Sequence, residues 1–275
     1  MARIGPRLRK LVWIAVLTLG SASCRDGNQP VKDPEPVLPS RKRLLVLTET
    51  TGYRHSSIAT AVATLRELGE QTGQWQVTAQ ANSAAEVGAA ITADGLRTVD
   101  AVVFANTTGT LSFSPAGRRA FYDWVRGGGA YIGLHSATDT FHGDSLYLDL
   151  VRGEFQHHGS PVTVSAIPQD TAHPACQTLP STGWRIYEEI YEFKNWQRND
   201  VRTLLALRTH PQTGAAGDFP LAWARRHGQG RMFYTALGHF EDTYANPAFR
   251  AHLTGGIRWA LGLAPAIETN GNPPR

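Results

Sequence analysis

Gly127-Gly128-Gly129-Ala130-Tyr131-Ile132-Gly133-Leu134-His135-Ser136-Ala137-Thr138 is the stretch on which the reading of the fold turns. The apolar run from Ala130 to Leu134 predicts a buried strand, entered through three glycines and left through small and hydroxylated residues. That is the sequence form of a strand-to-helix elbow, which lifts one side chain above the carboxyl edge of a parallel sheet, where ligands bind. In an elbow hydrolase the lifted side chain is Ser or Cys. Here it is the imidazole of His135.

Working outward, Lys42 to Leu47 reads as the first buried strand, followed by a loop over Thr48 to Ser57. Ser56 or Ser57 is placed to cap a helix through Ile58, Val62, Leu65 and Leu68, which recur with a period near 3.6. Trp75 to Thr78 and Asp100 to Ala105 are further strands, and Ser114-Pro115 opens a helix through Phe121 and Val125. Strands alternating with helices in this way predict an α/β fold with a doubly wound, mostly parallel sheet. Beyond the elbow, strands are expected at Val162 to Ile167, at Val201 to Leu207 and at Met232 to Leu237, while Trp184 to Phe193 gathers aromatic and acidic residues and Pro220 to Trp223 precedes a hairpin over Arg225 to Arg231. Asn246-Pro247 opens a last amphipathic helix through Phe249, Leu253, Ile257 and Trp259.

With 275 residues, 41% of them hydrophobic, the chain can bury one good core. The net charge of +4 sits at the start: without Arg3, Arg7, Arg9 and Lys10, 23 basic residues face 23 acidic ones. A nucleic-acid partner is therefore not supported. Those four charges precede the apolar run Leu11 to Leu19, too short to span a bilayer but suited to a signal peptide over residues 1–23 and hence to export. Cys24, after Ser21-Ala22-Ser23, is either the lipid-attachment residue of a bacterial lipoprotein, held at the periplasmic or cell-surface membrane by that anchor alone, or a free thiol left by ordinary cleavage. Pro30, Pro34, Pro36 and Pro39 mark residues 24–42 as an extended linker, leaving a domain over 43–263 and a tail over 264–275. Cys176 is the only other cysteine, which argues against a disulfide framework and excludes a cysteine metal cage.

His55, His135 and His239 each follow an expected strand, so a parallel sheet would bring them to one edge. One loop histidine is ordinarily a surface residue; three at equivalent topological positions point to a site. Neutral imidazole serves as general base, general acid or metal ligand. Adjacent side chains in extended chain point opposite ways, so at most one of His157 and His158 faces such a site. The same holds for Glu188 and Glu189, for which the alternative is a solvated charge; Glu189 lies between aromatic residues that could line a sugar face. His55, His135, His158 and His239 are the candidate ligands of a divalent, zinc-like metal, although no short spacing such as His-x-x-x-His supports it.

Thr51-Gly52-Tyr53-Arg54-His55, Gly133-Leu134-His135-Ser136-Ala137, Phe155-Gln156-His157-His158-Gly159, His173-Pro174, Glu188-Glu189-Ile190-Tyr191 and the run Gly230 to His239 together resemble the ThuA-like (trehalose-utilisation) family. The resemblance covers about residues 43–263 and implies a flavodoxin-like domain of the class I glutamine amidotransferase type. Those enzymes carry Cys at the elbow and a His-x-Glu pair after a later strand. Here His135 replaces the Cys while His239-Phe240-Glu241 keeps the pair, so an acyl-enzyme route is closed. The family name implies a carbohydrate substrate, in particular a 3-keto-disaccharide supplied by a partner sugar dehydrogenase, and a lyase, hydrolase or isomerase reaction. For such keto-sugar chemistry the expected catalytic residues are His135 and His239 as an acid/base pair with Glu189 positioning substrate or metal, and the expected substrate-binding residues are Tyr53, His55, His158, Tyr191 and Glu241. Two rivals stand beside it: a non-catalytic carbohydrate-binding surface module using Tyr53, Trp184, Tyr191 and Trp196 as stacking platforms, and a conventional glycosidase with Glu189 and Glu241 as its carboxylates.

Overall fold

The computed structural model describes residues 1–2 and 40–264. The signal peptide, Cys24, nearly all of the linker and the tail from 265 lie outside the described residues.

The first half of the domain alternates as expected: β1 (Lys42–Leu47), α1 (Ile58–Thr72), β2 (Trp75–Ala81), α2 (Ala84–Ala90), α3 (Ala93–Arg97), β3 (Ala101–Ala105), α4 (Pro115–Arg126) and β4 (Ala130–Leu134). A 3₁₀ turn at His135–Asp139 and α5 (Ser145–Val151) follow. The second half supplies β5 (Glu154–His158), β6 (Val162–Pro168), β7 (Trp184–Glu188), β8 (Tyr191–Lys194), β9 (Arg202–Thr209), β10 (Ala216–His227), β11 (Gly230–Thr235), α6 (Glu241–Ala245) and α7 (Pro247–Ala260). Nine strands form one sheet in the order β2-β1-β3-β4-β11-β10-β9-β6-β7. The five from β2 to β11 are parallel and run in the flavodoxin order, bearing out the expected doubly wound sheet. The last four continue antiparallel from β11, and β5 pairs with β8 in a separate two-stranded sheet.

Side chains alternate across the parallel strands and feed two apolar layers. Leu44, Val46, Val103, Ile132 and Phe233 pack beneath α1 and α7, while Leu45, Val102, Phe104, Tyr131 and Tyr234 pack on the other face with α4 and α5. Strands covered on both faces have no polar side to show, which is why they read as continuous apolar runs. The small residues of α2 and α3 gave no long period; their starts are set by Ser83 and Thr92, whose hydroxyls accept backbone N–H groups in the first turn. Ser57, expected as a cap, makes no side-chain capping bond. Its hydroxyl donates to the Gly238 carbonyl (3.0 Å) and accepts from Asn106 Nδ2 (2.9 Å), tying the loop after β1 to the turn after β11.

Candidate active site

Three strand ends carry the three histidines to the carboxyl edge of the sheet. His135, at the tip of the elbow after β4, adopts a left-handed backbone (φ 46°) and is fully buried. Gly133 makes that turn feasible, because a Cβ there would stand 2.8 Å from Tyr131 Oη and 3.1 Å from the Ala137 methyl. The imidazole Nδ1–H of His135 donates to the Ala236 carbonyl at 2.8 Å, which fixes the tautomer and leaves Nε2 as a bare lone pair. Around that nitrogen stand His55 Nε2 at 3.1 Å, His239 Nδ1 at 3.3 Å, the Tyr191 hydroxyl at 3.1 Å and Glu189 Oε2 at 3.8 Å.

One donor atom each from His55, His135, Glu189 and His239 lies within 4.8 Å of all the others. Tetrahedral coordination at about 2.05 Å separates neighbouring ligand atoms by roughly 3.3 Å, close to the N···N spacings here. The electrostatics favour neutral imidazole at two of the three histidines. Burial pushes His135 well below the ordinary histidine value, helped by His55. His55 is lowered to about 4, first by burial and then by the neighbouring charge of His239. His239 moves the other way, raised by its hydrogen bond to Glu189 Oε2 (3.0 Å). Burial works to raise the Glu189 carboxyl, but the hydrogen bond and charge of His239, followed by His158 and His55, outweigh it and hold the group below its ordinary range.

Three of the four donor residues, His55, Glu189 and His239, line a cavity of about 440 Å³ together with Tyr53, Asp139, Phe155, His158 and Tyr191, with His135 buried behind them. Tyr53 stands 68% exposed with its ring edge-on to His55. His158 enters from β5, its ring parallel to Tyr191 and its Nδ1 within 2.8 Å of the Gly159 carbonyl and 3.3 Å of Glu189 Oε1. It thus reaches the pocket but not the four-donor set, where Glu189 stands in place of the expected His158. His157 turns away to Glu192, as the alternation of an extended segment requires.

Glu188 and Glu189 also face opposite ways, but neither is solvated. Glu188 is fully buried and its carboxylate accepts from the backbone N–H of Gly238 (2.9 Å), His239 (3.2 Å) and Glu189 (3.3 Å) and from the Thr243 hydroxyl. Burial pushes its carboxyl up to about 7 against those donors.

Two sequence expectations fail at the pocket. Glu241 does not enter it: the chain turns at Gly238 (φ 121°), His239 points inward, and α6 begins with Glu241 on its exposed first turn, hydrogen-bonded to Ser56. Glu241 lines a different groove with Arg185, Tyr187 and Phe240, so the partner of His239 is Glu189 from beyond β7, not the residue two positions on. Trp184 and Trp196 are not stacking platforms either. Trp184 is buried near His252, and Trp196 packs on Trp223. Asp139, at the end of the 3₁₀ turn, and Phe155 are the pocket residues that sequence reading missed; the signals were the position of Asp139 four residues past His135 and that of Phe155 three before His158.

A family model described as trehalose utilisation matches residues 43–260. The chain belongs to the ThuA family. Its fold is similar to that of a ThuA-like protein from Parabacteroides merdae, at 18% identity and a TM-score of 0.68, covering 81% of this chain and 90% of that one. A ThuA-like protein from Bacteroides uniformis is also similar, at 18% identity and a TM-score of 0.63, with 85% and 95% covered. No match was found among curated proteins. Membership of a family described by trehalose utilisation indicates a carbohydrate-related role for this ThuA protein, and the two likenesses support the fold.

Proposed function

We propose that this ThuA protein is an exported enzyme that processes a keto-disaccharide or keto-glycoside at a divalent-cation centre held by His55, His135, His239 and Glu189. The observation that carries the reading is the convergence of three imidazole nitrogens and one carboxylate oxygen within 4.8 Å at the pocket. The donor set fits such an ion: burial disfavours a charge on His135, and the Ala236 carbonyl fixes its tautomer and ring orientation, the arrangement by which metal-binding histidines are oriented. A bound cation supplies Lewis acidity toward a carbonyl oxygen, with zinc the ion best matched to a His and carboxylate set.

The remaining chemistry belongs to the chain. A ketone acidifies the neighbouring C–H, so a base beside the centre can start an elimination or isomerisation. His158 suits that task better than His135, whose bare Nε2 is enclosed by His55, His239 and Tyr191. The carbonyl of Gly159 and the carboxylate of Glu189 orient His158 through Nδ1, leaving Nε2 to accept the proton. Tyr53 and Phe155 offer apolar rings to a sugar face at the rim. No elbow thiol is present, so acyl transfer from glutamine is not expected.

Elemental analysis of protein purified without chelator, followed by incubation with a 3-keto-disaccharide, tests the proposal. About one equivalent of metal, lost together with turnover in His135→Ala, is the expected result. Metal-free protein whose turnover is unchanged in His135→Ala refutes it, and sugar binding without product would favour a non-catalytic surface module. Export rests on Arg3 to Leu19 and Cys24, and the substrate implies a dehydrogenase that oxidises the sugar first. Release of a Cys24→Ser variant from the membrane fraction checks the lipid anchor.

A further inference from the structure

Beyond the cation centre, the pocket wall carries a second ionisable group joined to a chain of charged partners. Asp139 lines the cavity, and its Oδ1 lies 2.5 Å from His142 Nε2. The other ring nitrogen of His142 is 3.3 Å from Glu154 Oε1, and Glu154 is held in turn by Lys194 Nζ at 2.5 Å and by the Gly143 N–H at 2.9 Å. The side chain of Asp139 is 28% exposed, that of His142 38% and that of Glu154 only 8%. The chain therefore runs from the pocket to a solvent-accessible imidazole, anchored by a buried carboxylate at its far end. None of these groups belongs to the four-donor set.

Resting on the keto-glycoside reading, we propose that Asp139 is the general acid that protonates the leaving glycosidic oxygen, with His142 as its link to solvent. In the reaction this implies, the C2–H bond adjacent to the C3 carbonyl breaks and its proton passes to the base. The C1–C2 double bond forms as the C1–O bond breaks. Asp139 gives its proton to the departing oxygen, so an enone and an alcohol leave; His142 then returns a proton to Asp139, and the base releases its own to water. No oxidant or reductant is consumed. Burial also raises the Asp139 carboxyl from its ordinary value, against the opposing influence of His142 and Lys194 and with Glu154 adding to the rise.

Leaving-group dependence tests this role. A general acid matters when the departing alkoxide is poor and ceases to matter when it leaves unaided. Wild type and Asp139→Asn are to be compared on a methyl and a nitrophenyl 3-keto-glucoside, with circular dichroism as a check on folding. The expected result is a loss of about 10²-fold or more on the methyl glycoside and less than about tenfold on the nitrophenyl one. His142→Gln, which leaves Asp139 in place, is expected to show a smaller loss with the same dependence. Equal losses on both substrates, or none on either, overturn the assignment. Wild-type protein that turns over neither glycoside overturns the keto-glycoside reading and this role with it, whereas activity lost only in the variants on the methyl substrate supports both.

Discussion

Replacing Glu188 by Gln separates two effects that oppose each other at one buried carboxylate. In the folded protein this group is pushed up to about 7, against an ordinary 4.5. A folded value above the unfolded one means that the native state holds the proton longer. Its contribution is then complete below pH 4.5 and lost as pH rises through 7. At roughly 1.4 kcal/mol per pH unit, the gap costs the wild type about 3 kcal/mol between pH 5 and pH 8. Gln cannot ionise, so the variant escapes that loss. It does, however, turn an N–H₂ group toward two of the donors from Gly238, His239, Glu189 and Thr243, each orphaned donor costing about 1–3 kcal/mol. Urea unfolding of both proteins across pH 5 to 8, with chelator present, is the assay. At pH 5 the variant should be less stable by about 2–4 kcal/mol, and the two curves should converge by pH 8, because titrations common to both cancel in the difference. A difference that stays constant with pH would refute the reasoning, since Glu188 would then not titrate in this range.

Gly133→Ala should shift the elbow, because the added methyl meets Tyr131 Oη, the Tyr234 ring and Ala137 within 3.1 Å; a cost of about 1–3 kcal/mol in urea unfolding and weaker zinc binding in a calorimetric titration are expected. His252, lowered to about 4 by burial, must stay neutral in the folded state, so its contribution is complete above pH 6.5 and lost as pH falls toward 4. The stability advantage of wild type over His252→Asn should accordingly shrink by about 2 kcal/mol from pH 7 to pH 5, measured by urea midpoints. Asp170 and Arg202 form a buried ion pair that ties the loop after β6 to β9; Asp170→Ala should cost about 3–5 kcal/mol in the same assay.

The parallel half of the fold was legible because β1, β3, β4 and β11 carry apolar runs buried between two helical layers, whereas β2, at the edge of the sheet, is half polar. Topology then did most of the work for the site, since strands that share a direction deliver His55, His135 and His239 to the same edge. The antiparallel extension beside β11 was less legible: β6 and β9 show as strands, β7 carries a mix of aromatic and charged residues that hides it, and the pairing leaves no mark on the sequence. Polar residues were read least well. Glu188 looks identical to a solvated acid in one dimension, and only the turn at Gly238 and the start of α6 reveal the donors that bury it. Glu241 shows the reverse error: two residues from His239 in sequence, it is carried away by one turn of backbone. Asp139 gave little pattern: beyond its nearness to His135 and His142, the partners that extend its chain, Glu154 and Lys194, belong to separate segments.

The two-stranded sheet of β5 and β8 gives the pocket divided ownership. His55, His135 and His239 are mounted on the nine-stranded sheet, whereas Phe155, His158 and Tyr191 ride on a small ribbon paired to itself. Changes in that ribbon can redraw the mouth of the pocket while the three histidines stay in register. On the proposed reading, the groups that recognise substrate and the groups that hold the cation stand on separate supports, and one can be altered without moving the other.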